Sequence, residues 1–326
     1  MFGEVFSATL SPMMVMFLCL LAGFILNKKK ILPENSATVL SKLENFVLVP
    51  SLIILTFMQY CTVASLKEQY KLVLYCTLAV AIGVGLAYLL SPFFEKDEYK
   101  KNIYRYAITF GNFSFMGNAI VPIILGGAET AAQEAWLYKY LLFSLPLNLV
   151  VYTWGVVILI PKDKKTGSTL KSLLNPTVIA IIIGIVLGLT GAEPFVPGFL
   201  KTTLNYFKSC MGPIAMVLTG FVIGGYNIPS LLTNKRVYLV TALRLFVFPT
   251  LFLSLFILLG ADSDTLKLCF FAFATPLGLN TVIFPAAYGG ETKTGAAMAM
   301  ISHTLCIVTI PLMYALLNFI MEKLAI

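Results

Sequence analysis

The chain has 326 residues, of which 59% are hydrophobic and only 12% charged. A soluble domain holds about 45–50% apolar and about 25% charged residues, so a water-soluble fold is excluded. No gap between apolar runs exceeds about 15 residues, which leaves no room for a separate ATP- or nucleic-acid-handling domain; the formal charge of +8 reads as basic loops beside a membrane rather than a DNA-binding surface.

A transmembrane helix needs roughly 20 mostly apolar residues. The sequence predicts ten, at about 8–26, 36–58, 70–92, 104–125, 135–160, 174–191, 203–225, 237–260, 266–288 and 294–319. The first span does not read as a cleavable signal, because Lys28, Lys29 and Lys30 follow the apolar stretch instead of preceding it. Spans four and nine are interrupted, the one by Gly111, Asn112, Gly117, Asn118 and Pro122, the other by Pro276, Gly278, Asn280 and Pro285. The expected fold is an all-α polytopic membrane protein with ten transmembrane helices.

With the N-terminus outside, cytoplasmic loops hold fourteen Lys and Arg against seven outside. The excess places both termini outside and the segment 162–173 in the cytoplasm. Six scattered cysteines show no paired or CxxC spacing, so neither a disulfide framework nor a metal site is expected. Nothing in the sequence asks for a cofactor.

A shift of 163 residues, half the chain, lays Pro50 on Pro213, Pro122 on Pro285, and Gly126-Gly127 on Gly289-Gly290. NAIVPIILGG and NTVIFPAAYGG each run Asn, Pro, then Gly-Gly four residues on. Residues 1–161 and 174–326 are therefore expected to be two five-helix repeats joined by a linker at 162–173. Five is odd, so the second repeat enters the membrane inverted, as in secondary transporters.

Unpaired backbone is not tolerated in lipid, so a break at mid-membrane must be buried or line a wet cavity. The expected breaks are near Gly117-Asn118 and Gly278-Asn280, where inverted symmetry makes the two spans cross. Each second half-helix would aim its N-terminus at the crossing, and free N–H groups with the positive dipole end suit an anion. Asn112, Ser114, Asn118, Asn280 and Thr281 are the candidate substrate ligands, with Gly117, Ala119, Pro122, Gly278 and Pro285 shaping the backbone. The plainer reading is that these asparagines only satisfy broken backbone; the two roles can coexist.

Ionisable residues within spans are functional candidates by default. Lys42 can snorkel to the interface. Glu44 is too short for that; it reads as a proton or cation carrier or as the partner of a helix end. Arg244 either snorkels or counters substrate charge. His303, the single histidine, has the titration range for proton coupling, or it is a neutral buried ring bonded to a neighbouring helix. Gly184-Gly188 and Gly220-Gly224 have GxxxG spacing, which lets helices approach closely within a rigid unit or at a subunit contact.

Several stretches together carry a resemblance: LSKLENFVLVPSLI in span two, GNFSFMGNAIVPIILG in four, MGPIAMVLTGFVIGG in seven, RLFVFPTLFL in eight, and FATPLGLNTVIFPAAYGGETKTGAAMAMISHTLCIVTIP across nine and ten. The chain resembles the auxin efflux carrier family, the bacterial permeases related to plant PIN auxin carriers, over nearly its whole length. The resemblance implies a fold similar to bile-acid sodium symporters, with a scaffold of spans one, two, six and seven and a transport domain of spans three to five and eight to ten. It also implies a homodimer, an elevator motion and organic-anion substrates, small carboxylates among them, with H+ or Na+ as possible coupling ions. By it, Asn112 matches the fourth-span asparagine and Asn280 the ninth-span asparagine of bacterial members.

The chain departs from the plant pattern where plant carriers place a proline at each crossover: those positions here are Ala119 and Thr281. The long cytoplasmic loop of many plant members is also missing. The expected function is a secondary transporter of organic anions in a bacterial plasma membrane, not an enzyme. Two rivals fit less well. A ligand-sensing receptor on a transporter fold would need an appended signalling domain. An intramembrane enzyme would need an HExxH motif or an aspartate pair, and Ser302 and His303, being adjacent, point about 100° apart on a helix.

Overall fold

The computed structural model describes residues 2–161 and 176–326, and within them the regular structure is helical. The helices in chain order are α1 (Phe2–Lys28), α2 (Ser36–Tyr60), α3 (Val63–Phe94), α4 (Glu98–Thr109), α5 (Phe113–Gly126), α6 (Thr130–Phe143), α7 (Leu145–Leu159), α8 (Pro176–Leu189), α9 (Gly198–Gly224), α10 (Lys235–Leu258), α11 (Ser263–Ala274), α12 (Asn280–Ala287) and α13 (Lys293–Leu324). Among the described residues, α1, α2, α3, α9, α10 and α13 are each long and apolar enough to cross a membrane, and α6 with α7 form a seventh such segment bent by 48°. The expected spans four and nine are each two pieces, α4–α5 and α11–α12, and α8, the described part of span six, has 14 residues. The expected linker at 162–173 lies outside the described residues.

Four wide, π-type turns interrupt the helices, at Glu44–Leu48, Phe113–Gly117, Val151–Gly155 and Leu243–Val247. Two have an evident cause. Pro50 and Pro249 each stand two residues past their wide turn; a proline offers no N–H and its ring crowds the carbonyl four residues back, so the ladder loosens there.

The GxxxG pairs pack within the chain. A methyl group on Gly220 would run into the Leu20 carbonyl and one on Gly224 into Phe24 and Asn27, so these glycines let α9 lie directly on α1. Gly184 and Gly188 do the same for α8 against Phe57 of α2 and Cys61 just past its end. These four helices form one tight bundle. At one edge of that bundle a small recess is lined by Met13 and Met16 of α1, Met216 of α9, Met116 of α5, and His303 and Cys306 of α13.

Candidate functional site

The two broken segments meet. Thr275 precedes Pro276, and a pre-proline residue is pushed into extended backbone, here at φ −63, ψ 148. Phe110 is extended too, at φ −117, ψ 129. The strands so formed run antiparallel: Gly111 pairs with Leu277, and the Asn112 N–H donates to the Pro276 carbonyl at 2.7 Å. Glycine is required at the crossing itself, since a Cβ on Gly111 would overlap Thr275 and Arg244, and one on Gly278 would lie 3.1 Å from the Gly111 carbonyl.

The first break therefore comes earlier than the sequence led us to expect. It falls at Phe110–Asn112, and Gly117, Asn118, Ala119 and Pro122 all lie inside α5. Gly117 leaves space for the Tyr140 hydroxyl, which donates to the Phe113 carbonyl at 2.9 Å. Ala119 faces Gly212 of α9. The second break is at Thr275–Leu279, with Gly278 in it and Asn280 opening α12; Pro285 is within α12.

Neighbouring residues of α13 hold the crossing from one side. Ser302 Oγ accepts the Leu277 N–H at 3.0 Å. His303 Nδ1 is 2.8 Å from the Ala299 carbonyl, which can only accept, so Nδ1 carries the proton. Bare Nε2 then accepts from Asn112 Nδ2 at 3.0 Å, the hydrogen-bond pattern of a neutral imidazole.

Arg244 holds the crossing from the other side. It is fully buried and does not snorkel. Its guanidinium donates to the carbonyls of Ile108 (3.4 Å) and Thr109 (3.3 Å), at the end of α4, and of Ala272 (3.2 Å), at the end of α11. It also lies 5.6 Å from the Phe273 ring centroid. Each helix C-terminus carries roughly half a negative charge, so one arginine meets two ends of about its own total charge.

The N-terminal ends are left without such a partner. Helix geometry gives their first-turn N–H groups no intrahelical acceptor, and among the described residues no carbonyl takes those of Ser114, Phe115 or Asn280. Beside them opens a small recess. Asn112, Ser114 and Asn280 line it, together with Tyr106, Asn148 and Tyr152. Asn280 Nδ2 donates to the Tyr106 hydroxyl at 2.7 Å, and Asn148 Nδ2 to the Ser144 carbonyl at 3.1 Å. Among the described residues no charged side chain lines this recess.

Three of the five expected substrate ligands are thus brought together. Asn118 is buried away from the recess with Oδ1 unbonded, and the buried Thr281 hydroxyl donates to the Gly278 carbonyl at 2.9 Å. Tyr106, Asn148 and Tyr152 were not anticipated. Asn148, a lone amide in the apolar run LPLNLVV, was the visible signal. Glu44 is remote from the crossing: it is fully buried at the wide turn of α2, with no donor to either carboxylate oxygen among the described residues. Lys42 is exposed.

Residues 8–314 match the family described as membrane transport protein. The chain belongs to that family. It is the family to which the sequence resemblance points. Membership in the membrane transport protein family, with the apolar helices above, makes the chain an integral membrane protein of a transport family. It is similar to "Uncharacterized transporter MJ1031" of Methanocaldococcus jannaschii, 29% identical over 64% of this chain and 66% of the relative. It is also similar to "Uncharacterized transporter YfdV" of Escherichia coli K12, 22% identical over 61% of this chain and 62% of the relative. The match spans just under two thirds of either relative's length.

Proposed function

We propose that the chain is a secondary carrier of organic anions, small carboxylates foremost, which binds its substrate at the crossing of α4–α5 with α11–α12. The observation that carries this reading is the asymmetry of charge there. Arg244 meets the two helix C-termini, while the N-termini of α5 and α12 open with free N–H groups beside a recess lined by neutral amides and hydroxyls. Such ends attract negative charge. Asn280, Ser114 and Tyr106 would orient a carboxylate, and Phe113, Phe115 and Val151 supply apolar wall.

The finer architecture belongs to the same proposal. Ten spans in two inverted five-helix repeats would place the crossing at mid-membrane, with both termini outside a bacterial plasma membrane. The tight bundle of α1, α2, α8 and α9 would be the scaffold of a homodimer, past which the remaining helices carry the substrate in an elevator-type motion. The Met-lined recess lies where these two groups of helices meet, and flexible thioethers tolerate re-packing.

Purified protein in liposomes on a solid-supported membrane tests the reading. Malate, malonate, succinate, lactate and an indole carboxylate are applied in turn, with tracer uptake alongside for electroneutral transport. A saturable signal that weakens in Asn280→Ala is the expected result. No flux of any of these anions would overturn it.

A further inference from the structure

Asn112 stands between two small recesses. Its residue lines the recess at the crossing, and its amide nitrogen reaches His303, which lines the Met-rich recess behind it. Among the described residues the one hydrogen bond of the Asn112 side chain is that of Nδ2 to His303. We propose that His303 is the binding site of a coupling proton, and that Asn112 transmits the proton's presence to the anion site by turning its amide over. The proposal rests on the anion-carrier reading and adds the coupling ion to it.

The argument is one of donors and acceptors. In the neutral state Nδ1–H donates to the Ala299 carbonyl and bare Nε2 accepts from Asn112 Nδ2. A proton on Nε2 makes both ring nitrogens donors. The amide nitrogen cannot accept, so two N–H groups would then face each other. A half-turn of the amide removes the conflict: Oδ1 accepts from Nε2–H, and the Nδ2 hydrogens turn toward the recess at the crossing. An anion there gains a donor and a positive charge one side chain away. By reciprocity the bound anion favours the proton on His303 by the same factor. The proton comes from water on one side and returns to water on the other; no other bond is made or broken.

The surroundings leave that charge for the anion to meet. On the elements packed against His303, the buried ionisable groups are Tyr104 and Tyr106 (α4), Arg244 (α10), Cys269 (α11), and Cys306 and Tyr314 (α13), with Cys19 (α1) half-buried, while α5 and α12 offer none. None hydrogen-bonds or ion-pairs with the ring; the Cys306 thiol donates to the His303 backbone carbonyl instead. No carboxylate is among them.

The test uses liposomes holding a trapped pH dye, with radiolabelled malonate outside. Wild-type protein should acidify the lumen as malonate enters. At one proton per anion, an outside one pH unit more acid should raise malonate accumulation about tenfold. In His303→Gln, whose amide can still accept from Asn112, malonate should enter but the tenfold response should vanish. Malonate flux by wild type without lumen acidification overturns the proton coupling and leaves the anion reading intact. A tenfold response retained in His303→Gln overturns the assignment to this residue. Absence of flux for every anion in the panel removes the carrier reading and this inference with it. If His303→Gln fails to fold, the wild-type measurement still decides the coupling, and His303→Asn, whose shorter amide can also accept a hydrogen bond, is the second variant: it too should lose the tenfold response.

Discussion

The Tyr106 hydroxyl accepts the Asn280 amide at 2.7 Å, joining the first half of one broken span to the second half of the other. The bond fixes the Asn280 side chain and leaves the phenolic hydrogen free for the recess that both residues line. A neutral hydrogen bond contributes about 1 kcal/mol, and substrate contact would add as much again. Tyr106→Phe should raise the KM for the transported anion about five- to thirtyfold with the melting temperature little changed. An unchanged KM would remove Tyr106 from the site.

Asn280 and Asn118 look equivalent in sequence and are not so in space. Asn280→Ala removes a recess-lining amide, whereas Asn118→Ala removes a buried one inside α5. Uptake by Asn280→Ala should fall at least about tenfold further than uptake by Asn118→Ala, one factor of ten being about 1.4 kcal/mol. Equal losses in tracer uptake would place the site deeper along α5.

Arg244 acts as a tie between helix ends, so its loss should show in stability before transport. Arg244→Met leaves the carbonyls of Ile108, Thr109 and Ala272 without their donor. Hydrogen bonds to a charged group contribute about 1.5–3 kcal/mol each, so a large drop in melting temperature is expected. Arg244→Lys should recover only part of it, because an ammonium lacks the planar fork that reaches both ends. A variant that melts normally but shows a raised KM would instead make Arg244 a counter-charge for substrate.

Among the described residues Glu44 has no partner, and a buried polar group without one costs about 1–3 kcal/mol. Glu44→Leu, of similar length, should therefore melt no lower than wild type and should still carry anion. Loss of uptake in a well-folded Glu44→Leu protein would show that the acid is used in the transport cycle.

How much of this was visible in the sequence follows from what each feature depends on. Apolar length and the Pro and Gly interruptions are local, so the helices and the two broken segments could be read directly. The position of the first break could not. Matching Asn118 to Asn280 through the shared Gly-Gly ends assumes half-helices of equal length. But α5 carries five residues of wide turn ahead of nine of α-helix, against eight in α12, and that moves its start back to Phe113. The partners of Arg244 were equally hidden, since they are backbone carbonyls, which no residue type announces. Asn148 is legible as a lone amide in an apolar run, but no cluster of Gly and Pro marks that run as part of the crossing.

The crossing also constrains how any carrier cycle can work. Arg244 bonds to the ends of α4 and α11, Asn112 bonds to Pro276, and Ser302 bonds to Leu277. Four stretches of chain far apart in sequence are thereby knotted at one point with their polar backbone groups shared. Pulling the half-helices apart to open a path on one side would expose those groups to a medium that cannot bond them. In the proposed carrier the cradle would keep its shape from loading to release, and access would change by movement of the walls around it.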